Sequence, residues 1–568
     1  MSAANRTDSV TMTAAEVLLT SLKASGVDYF LANAGTDFPP IVEAIASAAQ
    51  SGLDMPKPMV IPHENTAVSM AHGYAMLTGK PQAVMVHVNV GTANAINALI
   101  DASRDNIPML LMAGRSPVLE DGMKGARSRY IHWAQEMYDQ AGMLREIVKW
   151  DYELRQPGQV GDMVNRAIEI ATASPQGPVY LSLPREPLAM TVEAPKPKAP
   201  RLSPLAPAAH PDGVALLAAW LAESRNPLII TSGAGRRPQE AWALASFAER
   251  FAVPVVTFNG RYVCLPSSHP MNQGGVAGPL LAQADLVIVL DCDVPWIPSL
   301  EGPAKDARVV HIGTDPAFVR YPIRSFPSDL SLTSQIDQAL DAITEALAPK
   351  VDKATLAERR NRFSGRSAEM RTKAHEEASI IPKVITPVYL SRCIGEAVGG
   401  DAIIVNEYPL RQEYCPREVP GTYFGLSPAG GLGWGFGAAL GAKLAAPDKL
   451  VVATLGDGAY MFANPTACHW TAAAHDLPIL TIVFNNALYG AVRNSTLAMY
   501  RDGAAAKDAG RLLADLNPSP AFEMLVQAQG GHGERVEDPA ALPEALARAV
   551  RVVTSERRQA LLNVITPY

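Results

Sequence analysis

No CxxC pair occurs anywhere in this chain, and its five cysteines, Cys264, Cys292, Cys393, Cys415 and Cys468, are scattered and odd in number. Neither a disulfide framework nor a zinc site is indicated, so a reducing, cytoplasmic setting is expected. No apolar run reaches the roughly 18 residues of a membrane span. The opening MSAANRTDSVTMTAAE also lacks the apolar core of a secretory signal. Charge is sparse as well: 18% of residues are charged, the net charge is −7, and there is no long basic run. That balance argues against nucleic acid or an anionic membrane as the main partner and leaves small molecules. What is present is a 48% hydrophobic composition spread over 568 residues, enough for several buried cores; three are expected.

Residues 13–26 open on Thr13-Ala-Ala-Glu16, an S/T-x-x-E capping box, and close on Gly26, which frames a helix at both ends. A strand from Val27 to Leu31 should follow. Apolar runs at 83–87, 109–113 and 178–182 then alternate with helical patterns at 64–78 and 92–103, the pattern of a parallel sheet covered on both faces. This first unit spans 1–186. Residues 187–211 are too rich in Pro and Ala for regular structure through most of their length and read as a linker.

A second unit, 212–348, has strands expected at Pro227–Thr231, Val255–Phe258, Leu286–Leu290 and Arg308–Ile312. Its Gly233-Ala-Gly235 lacks the third glycine of a dinucleotide fingerprint, so this Rossmann-like unit is assigned no nucleotide. Residues 349–385 interleave Arg359, Arg360, Arg362 and Arg366 with Glu358, Glu369 and Glu376, as a solvated connecting helix would. The third unit, 386–568, has strands expected at Ala402–Val405, Leu450–Leu455, Ile479–Phe484 and Ala560–Thr566. The expected fold class is therefore α/β, with three consecutive parallel-sheet domains.

The most informative stretch runs from Gly456-Asp457-Gly458, after an apolar strand, to Asn485-Asn486, at the end of the next one. Both motifs fall at strand C-termini, where open parallel sheets bind ligands, and a helix starts between them. A diphosphate placed there would need a hard cation. Mg2+ favours few carboxylates, neutral oxygens and water, a set that Asp457, the Asn486 side chain and the Leu488 carbonyl can supply.

GDG, a spacer from Ala459 to Phe484, then NN resembles the cofactor signature of the thiamine-diphosphate enzymes. The resemblance implies thiamine diphosphate and Mg2+, with Gly456, Asp457, Gly458, Ala459, Asn486 and Tyr489 around the diphosphate. It also implies a second half-site on the first domain, usually from a partner subunit. Pro62-His63-Glu64-Asn65-Thr66-Ala67 is similar to that family's glutamate-bearing segment, so Glu64 would hydrogen-bond the aminopyrimidine and share its proton. In Ser427-Pro-Ala-Gly-Gly431-Leu432-Gly433-Trp434-Gly435, the resemblance makes Leu432 the apolar wedge that bends the cofactor and the Gly430 carbonyl an acceptor for its amino group. Packing alone also explains so many glycines, as a tight helix contact.

The order pyrimidine-binding, central, diphosphate-binding is similar to the branch holding pyruvate decarboxylase, acetolactate synthase and benzoylformate decarboxylase. VHVNVGTANAINAL, IIVNEYP and AGGLGWGFGAALG lean towards the last of these. That resemblance makes His87 the proton donor or acceptor for the substrate adduct, with Thr36 and Asn89 as hydrogen-bonding neighbours. Val492 and Thr496, after the Asn-Asn motif, would line the substrate pocket.

One departure stands out. The central-domain stretch where the benzoylformate decarboxylases carry another histidine reads Leu290-Asp291-Cys292-Asp293-Val294-Pro295-Trp296 here. The expected activity is decarboxylation of a 2-oxo acid, with carboligation of the product to an aldehyde. An acetolactate-synthase-like carboligase or a 2-hydroxyacyl lyase is the alternative. A flavin in the central domain is disfavoured. A non-catalytic protein retaining the fold is the alternative of another class, and the presence of Glu64, Asp457 and Asn486 together opposes it. The family pattern implies a homodimer or homotetramer.

Overall fold

A computed structural model describes residues 11–193, 204–508 and 511–567. The first ten residues, and the part of the Pro/Ala-rich linker from 194 to 203, lie outside the described residues. The chain forms three all-parallel sheets of six, five and six strands. In the first, the order is Lys57–Val60, Tyr29–Ala32, Gln82–Val86, Met109–Arg115, Pro178–Pro184, Asp151–Glu153. In the second it is Val255–Thr257, Pro227–Thr231, Leu286–Leu290, Arg308–Gly313, Leu330–Thr333. The third runs Tyr423–Gly425, Ile403–Glu407, Val451–Gly456, Leu480–Asn485, Ala560–Ile565, His532–Val536. The three-domain α/β reading holds.

The central strands are buried along their whole length because helices cover both faces, which is why they read as unbroken apolar runs. Six strands form the edges of these three sheets, and four of them mix in polar, partly exposed residues. The helix over 13–26 forms as Ala14–Ala24, with Thr13 accepting the Glu16 N–H and Glu16 accepting the Thr13 N–H. Such a cap is worth about 1 kcal/mol. The pattern at 92–103 resolves into two helices, Val88–Asn94 and Ile96–Arg104. The Pro/Ala-rich stretch is structured at its start: Thr191–Glu193 pairs antiparallel with Thr11–Thr13. The charged helix runs from Lys353 to Ser379 and is solvated on one side only, since Arg359, Phe363 and Ser367 are buried.

The first and third domains meet through the helices Glu64–Thr78 and Trp434–Ala445. A Cβ on Gly73 would lie 1.9 Å from the Ala438 carbonyl oxygen, one on Gly441 2.0 Å from that of Met70, and one on Gly437 2.6 Å from the Ser69 side chain. The glycines in GWGFGAALG therefore let two helices cross in near-backbone contact. Gly233 and Gly235 are likewise explained by packing: a Cβ there would strike Asp291 and the Val263 carbonyl.

Candidate active site

His87 follows the strand Gln82–Val86 at the C-terminal end of the first sheet. Its Nδ1 lies 2.5 Å from Asp37 Oδ1, and Asp37 is 4% exposed. The Val88 N–H donates to the other Asp37 oxygen at 3.3 Å. A carboxylate only accepts, so it holds the proton on Nδ1 and leaves the Nε2 lone pair to the Gln135 amide, 3.2 Å away. Both partners are packed tightly: a Cβ on Gly35 would clash with the His87 ring, and one on Gly114 with the Asp37 carboxylate. Val88 adopts φ +26°, a strained value for a β-branched residue, right beside this pair.

The hydrogen-bonding neighbours of His87 are thus Asp37 and Gln135, not Thr36 and Asn89. The Thr36 carbonyl instead accepts from Arg185, and the buried Asn89 side-chain oxygen has no partner among the described residues. Asp37 was missed although it follows Thr36 directly, because its partner lies 50 residues away.

Glu64 opens the helix Glu64–Thr78, capped by His63, whose Nδ1 accepts the Asn65 N–H. Its carboxylate is 8% exposed, accepts from Asn94 Nδ2 at 2.8 Å, and lies close to Gly91, where a Cβ would sit 3.2 Å from Glu64 Oε1. Beside it, a cavity of about 450 Å³ is lined by Pro62, His63, Met461, Asn464, Pro465, Thr466, Ala467, Trp470 and Gln529.

In the third domain, Gly430 takes φ +68° and Leu432 is half-buried ahead of the helix Trp434–Ala445. Glu407, at the end of the strand Ile403–Glu407, is fully buried and accepts the Gly433 and Gly435 N–H groups at 2.7 and 2.5 Å. Burial pushes its carboxyl up to about 7 against the pull of those donors. Its position within the phrase IIVNEYP carried the signal that sequence reasoning left unused.

Asp457 begins a short helix after the strand Val451–Gly456 and is 5% exposed. Oδ1 accepts the Gly458 N–H at 2.7 Å, while Oδ2 is buried with no hydrogen-bond partner. Burial holds its carboxyl above the usual range, opposed by N–H groups of Gly458, Ala487, Leu488 and Asn486, so the GDG turn and the Asn-Asn loop meet here. Asn486 Oδ1 accepts the Leu488 N–H at 3.0 Å, and the Leu488 carbonyl accepts that of Gly490 at 2.9 Å. Gly458 seats the Tyr489 ring, which a Cβ would strike at 2.6 Å. Nothing lies within 4 Å of a Cβ built on Gly456, and Ala459 is buried. Val492 and Thr496 lie on the helix Gly490–Met499, which buries no residue; Thr496 Oγ1 donates to the Val492 carbonyl at 2.9 Å.

Three family models match in order: the N-terminal TPP binding domain of thiamine pyrophosphate enzymes over residues 12–143, their central domain over 214–343, and their C-terminal TPP binding domain over 409–564. The chain belongs to the thiamine pyrophosphate enzymes.

Within that family it is similar to the acetolactate synthase large subunit of Lactococcus lactis, 26% identical with 95% of this chain and 90% of the relative covered. It is also similar to a probable acetolactate synthase large subunit of Methanocaldococcus jannaschii, 23% identical at the same coverage. Among solved structures, a thiamine diphosphate-dependent 4-hydroxybenzoylformate decarboxylase of Rhodococcus jostii matches with a TM-score of 0.78 at 23% identity, covering 98% of this chain and 99% of that one. Benzoylformate decarboxylase of Polynucleobacter necessarius matches with 0.78 at 22% identity, covering 98% of each. These two likenesses show the fold.

The chain is thus a thiamine-diphosphate-dependent enzyme of the lyase and transferase kind. Its residues fit the cofactor and a hard cation. A buried carboxylate oxygen without a partner is costly unless something is bound there, and Asp457 Oδ2 is such an oxygen, beside the loop that carries Asn486 and Leu488. Among the described residues, no group of three His, Cys, Asp or Glu could hold a metal. No helix among them is long and apolar enough to cross a membrane.

Proposed function

We propose that this thiamine pyrophosphate enzyme is a Mg2+-dependent 2-oxo-acid decarboxylase that also joins the resulting acyl unit to an aldehyde. The carrying observation is the Asp37–His87–Gln135 group on the same domain as the buried Glu64: a histidine oriented by a carboxylate, and a buried carboxylate held by Asn94. When bound, the cofactor supplies the electron sink that makes loss of carbon dioxide possible.

The protein's own residues do the rest. Asp457, Asn486 and the Leu488 carbonyl would hold Mg2+ and with it the diphosphate, with Gly456, Gly458, Ala459 and Tyr489 alongside. Gly430 and Leu432 would set the cofactor's bend. Glu64 would hold a proton at the aminopyrimidine, and Asn94 fixes its orientation. His87 would exchange the Gln135 amide at Nε2 for the substrate, accepting or returning a proton there, while Asp37 fixes its tautomer. Val492 and Thr496 would contact the substrate's side group.

Glu64 and Asp457 serve one site only if two copies meet, so the active unit is a homodimer or homotetramer. Exposed Val60, Met461, Phe462 and Trp470 around the two half-sites supply an apolar surface for that contact.

The acetolactate synthase relatives favour a second reading, in which an added carbonyl acceptor is required. One experiment separates them. The protein with Mg2+ and thiamine diphosphate is given aliphatic and aromatic 2-oxo acids with and without acetaldehyde, and carbon dioxide, aldehyde and hydroxyketone are measured. Aldehyde release without acceptor supports the decarboxylase. Product only with acceptor supports the carboligase, and no carbon dioxide from any acid rejects both.

A further inference from the structure

Four side chains from outside the segment hold the backbone of Gly431–Gly435. Besides Glu407, Asp101 Oδ1 accepts the Gly431 N–H at 3.0 Å, Asn97 Nδ2 donates to the Leu432 carbonyl at 3.0 Å, and Asn65 Nδ2 donates to the Gly433 carbonyl at 3.0 Å. Ser427 Oγ locks the other side by donating to the Asp101 carbonyl at 3.1 Å. Asp101 is 0% exposed, its Oδ2 has no hydrogen-bond partner, and a Cβ on Gly431 would lie 2.5 Å from that oxygen. A full negative charge on such an atom, with a second buried carboxyl nearby, is expensive.

We propose that Asp101 is a positioning residue that works as a neutral acid: protonated, it holds the Gly431 N–H and so keeps Leu432 in place for the cofactor, and its ionisation at alkaline pH loosens that segment. This rests on the reading of Leu432 as the residue that shapes the bound cofactor.

The surroundings give the direction. Burial, with Asp105 and Glu407 adding to it, pushes the Asp101 carboxyl up to about 8, opposed by the Gly431 N–H and by Ser427. Asp105 caps the same helix and is itself paired with His72 and Arg261, each at 3.4 Å, while Glu407 faces Asp101 from the strand Ile403–Glu407. A carboxyl raised on folding is neutral below its folded value and charged above it. The organised segment is therefore complete at neutral pH and is lost as the pH rises through about 8.

The test is a thiamine diphosphate titration, in the presence of Mg2+, followed by tryptophan fluorescence rather than turnover. It is run from about pH 6.5 to 9.5 on wild type, Asp101→Asn, Asp101→Ala and Asn97→Ala. Wild-type affinity should fall roughly tenfold across that range as one proton is lost. Asp101→Asn keeps an acceptor for Gly431 and cannot ionise, so it should bind as wild type does at neutral pH and show a flat profile. Asp101→Ala should bind roughly tenfold more weakly throughout, the cost of one buried hydrogen bond.

Should Asp101→Ala not fold, Asn97→Ala, at a more exposed position, carries the comparison: weaker binding with the wild-type pH slope. An Asp101→Asn profile as steep as wild type's, or Asn97→Ala binding unchanged, overturns the role of Asp101 and its segment alone. No binding by wild type at any pH would overturn the cofactor reading itself, and the proposal with it.

Discussion

The segment Gly431–Gly435 and the helix Gly490–Met499 belong to the same domain and are assigned to the same bound complex, yet the chain treats them in opposite ways. The first has its backbone N–H and carbonyl groups tied to Asp101, Asn97, Asn65 and Glu407. The second buries none of its residues, and Val492, Met499 and Tyr500 are exposed. The part proposed to meet the invariant cofactor is fixed in advance, at the expense of two buried carboxyls. The part proposed to meet the variable substrate buries no residue of its own.

The largest effect is expected next to the fixed segment, at Glu64, whose neighbour Asn65 holds the Gly433 carbonyl. Glu64→Ala should lower turnover on the best 2-oxo acid by about 10³-fold while leaving Mg2+-dependent thiamine diphosphate binding near wild type. Full activity in that variant would sink the mechanism. Next, Asp37→Asn should lower kcat/KM roughly 10²-fold with cofactor affinity unchanged, because the amide replaces one of the two acceptor oxygens shared by His87 and Val88 and no longer fixes the His87 tautomer. An equal loss of cofactor affinity would make Asp37 structural instead.

Gly441→Val probes the crossing on which the fixed segment is mounted. Forcing side-chain atoms against the Met70 carbonyl should cost about 1–3 kcal/mol in urea unfolding. The smallest effect belongs to the uncovered helix. Val492→Ala and Thr496→Ala should each change stability by less than about 0.5 kcal/mol. Their effect should appear in the ratio of kcat/KM between aromatic and aliphatic acids, and an unchanged ratio would remove both residues from the pocket.

The sequence was most legible where chemistry and pattern coincide locally. GDG and Asn-Asn each mark a strand end, and Pro62-His63-Glu64 marks a helix start, so each could be placed from its neighbours. The helix Glu64–Thr78 and the strands Pro227–Thr231 and Leu286–Leu290 have the boundaries their apolar patterns imply. The edge strands Lys57–Val60 and Asp151–Glu153 were not legible, because a strand at an edge is only partly buried and carries no continuous apolar run.

Asp37 and Asp101 were illegible for another reason. Each is one acid among many until the fold brings it to a partner far along the chain, His87 for Asp37 and Gly431 for Asp101. The glycines of GWGFGAALG were visible, but only the fold shows that Gly437 and Gly441 face a helix of the first domain.

That helix crossing constrains motion as well as packing. With Gly73 against Ala438 and Gly441 against Met70, no layer of flexible side chains lies between the two helices to act as a bearing. The first and third domains should therefore travel as one stiff block, in which Glu64 and Leu432 keep a fixed spacing. A hinge between these two domains is a movement that the crossing opposes, and the uncovered helix Gly490–Met499 is where the third domain keeps its freedom.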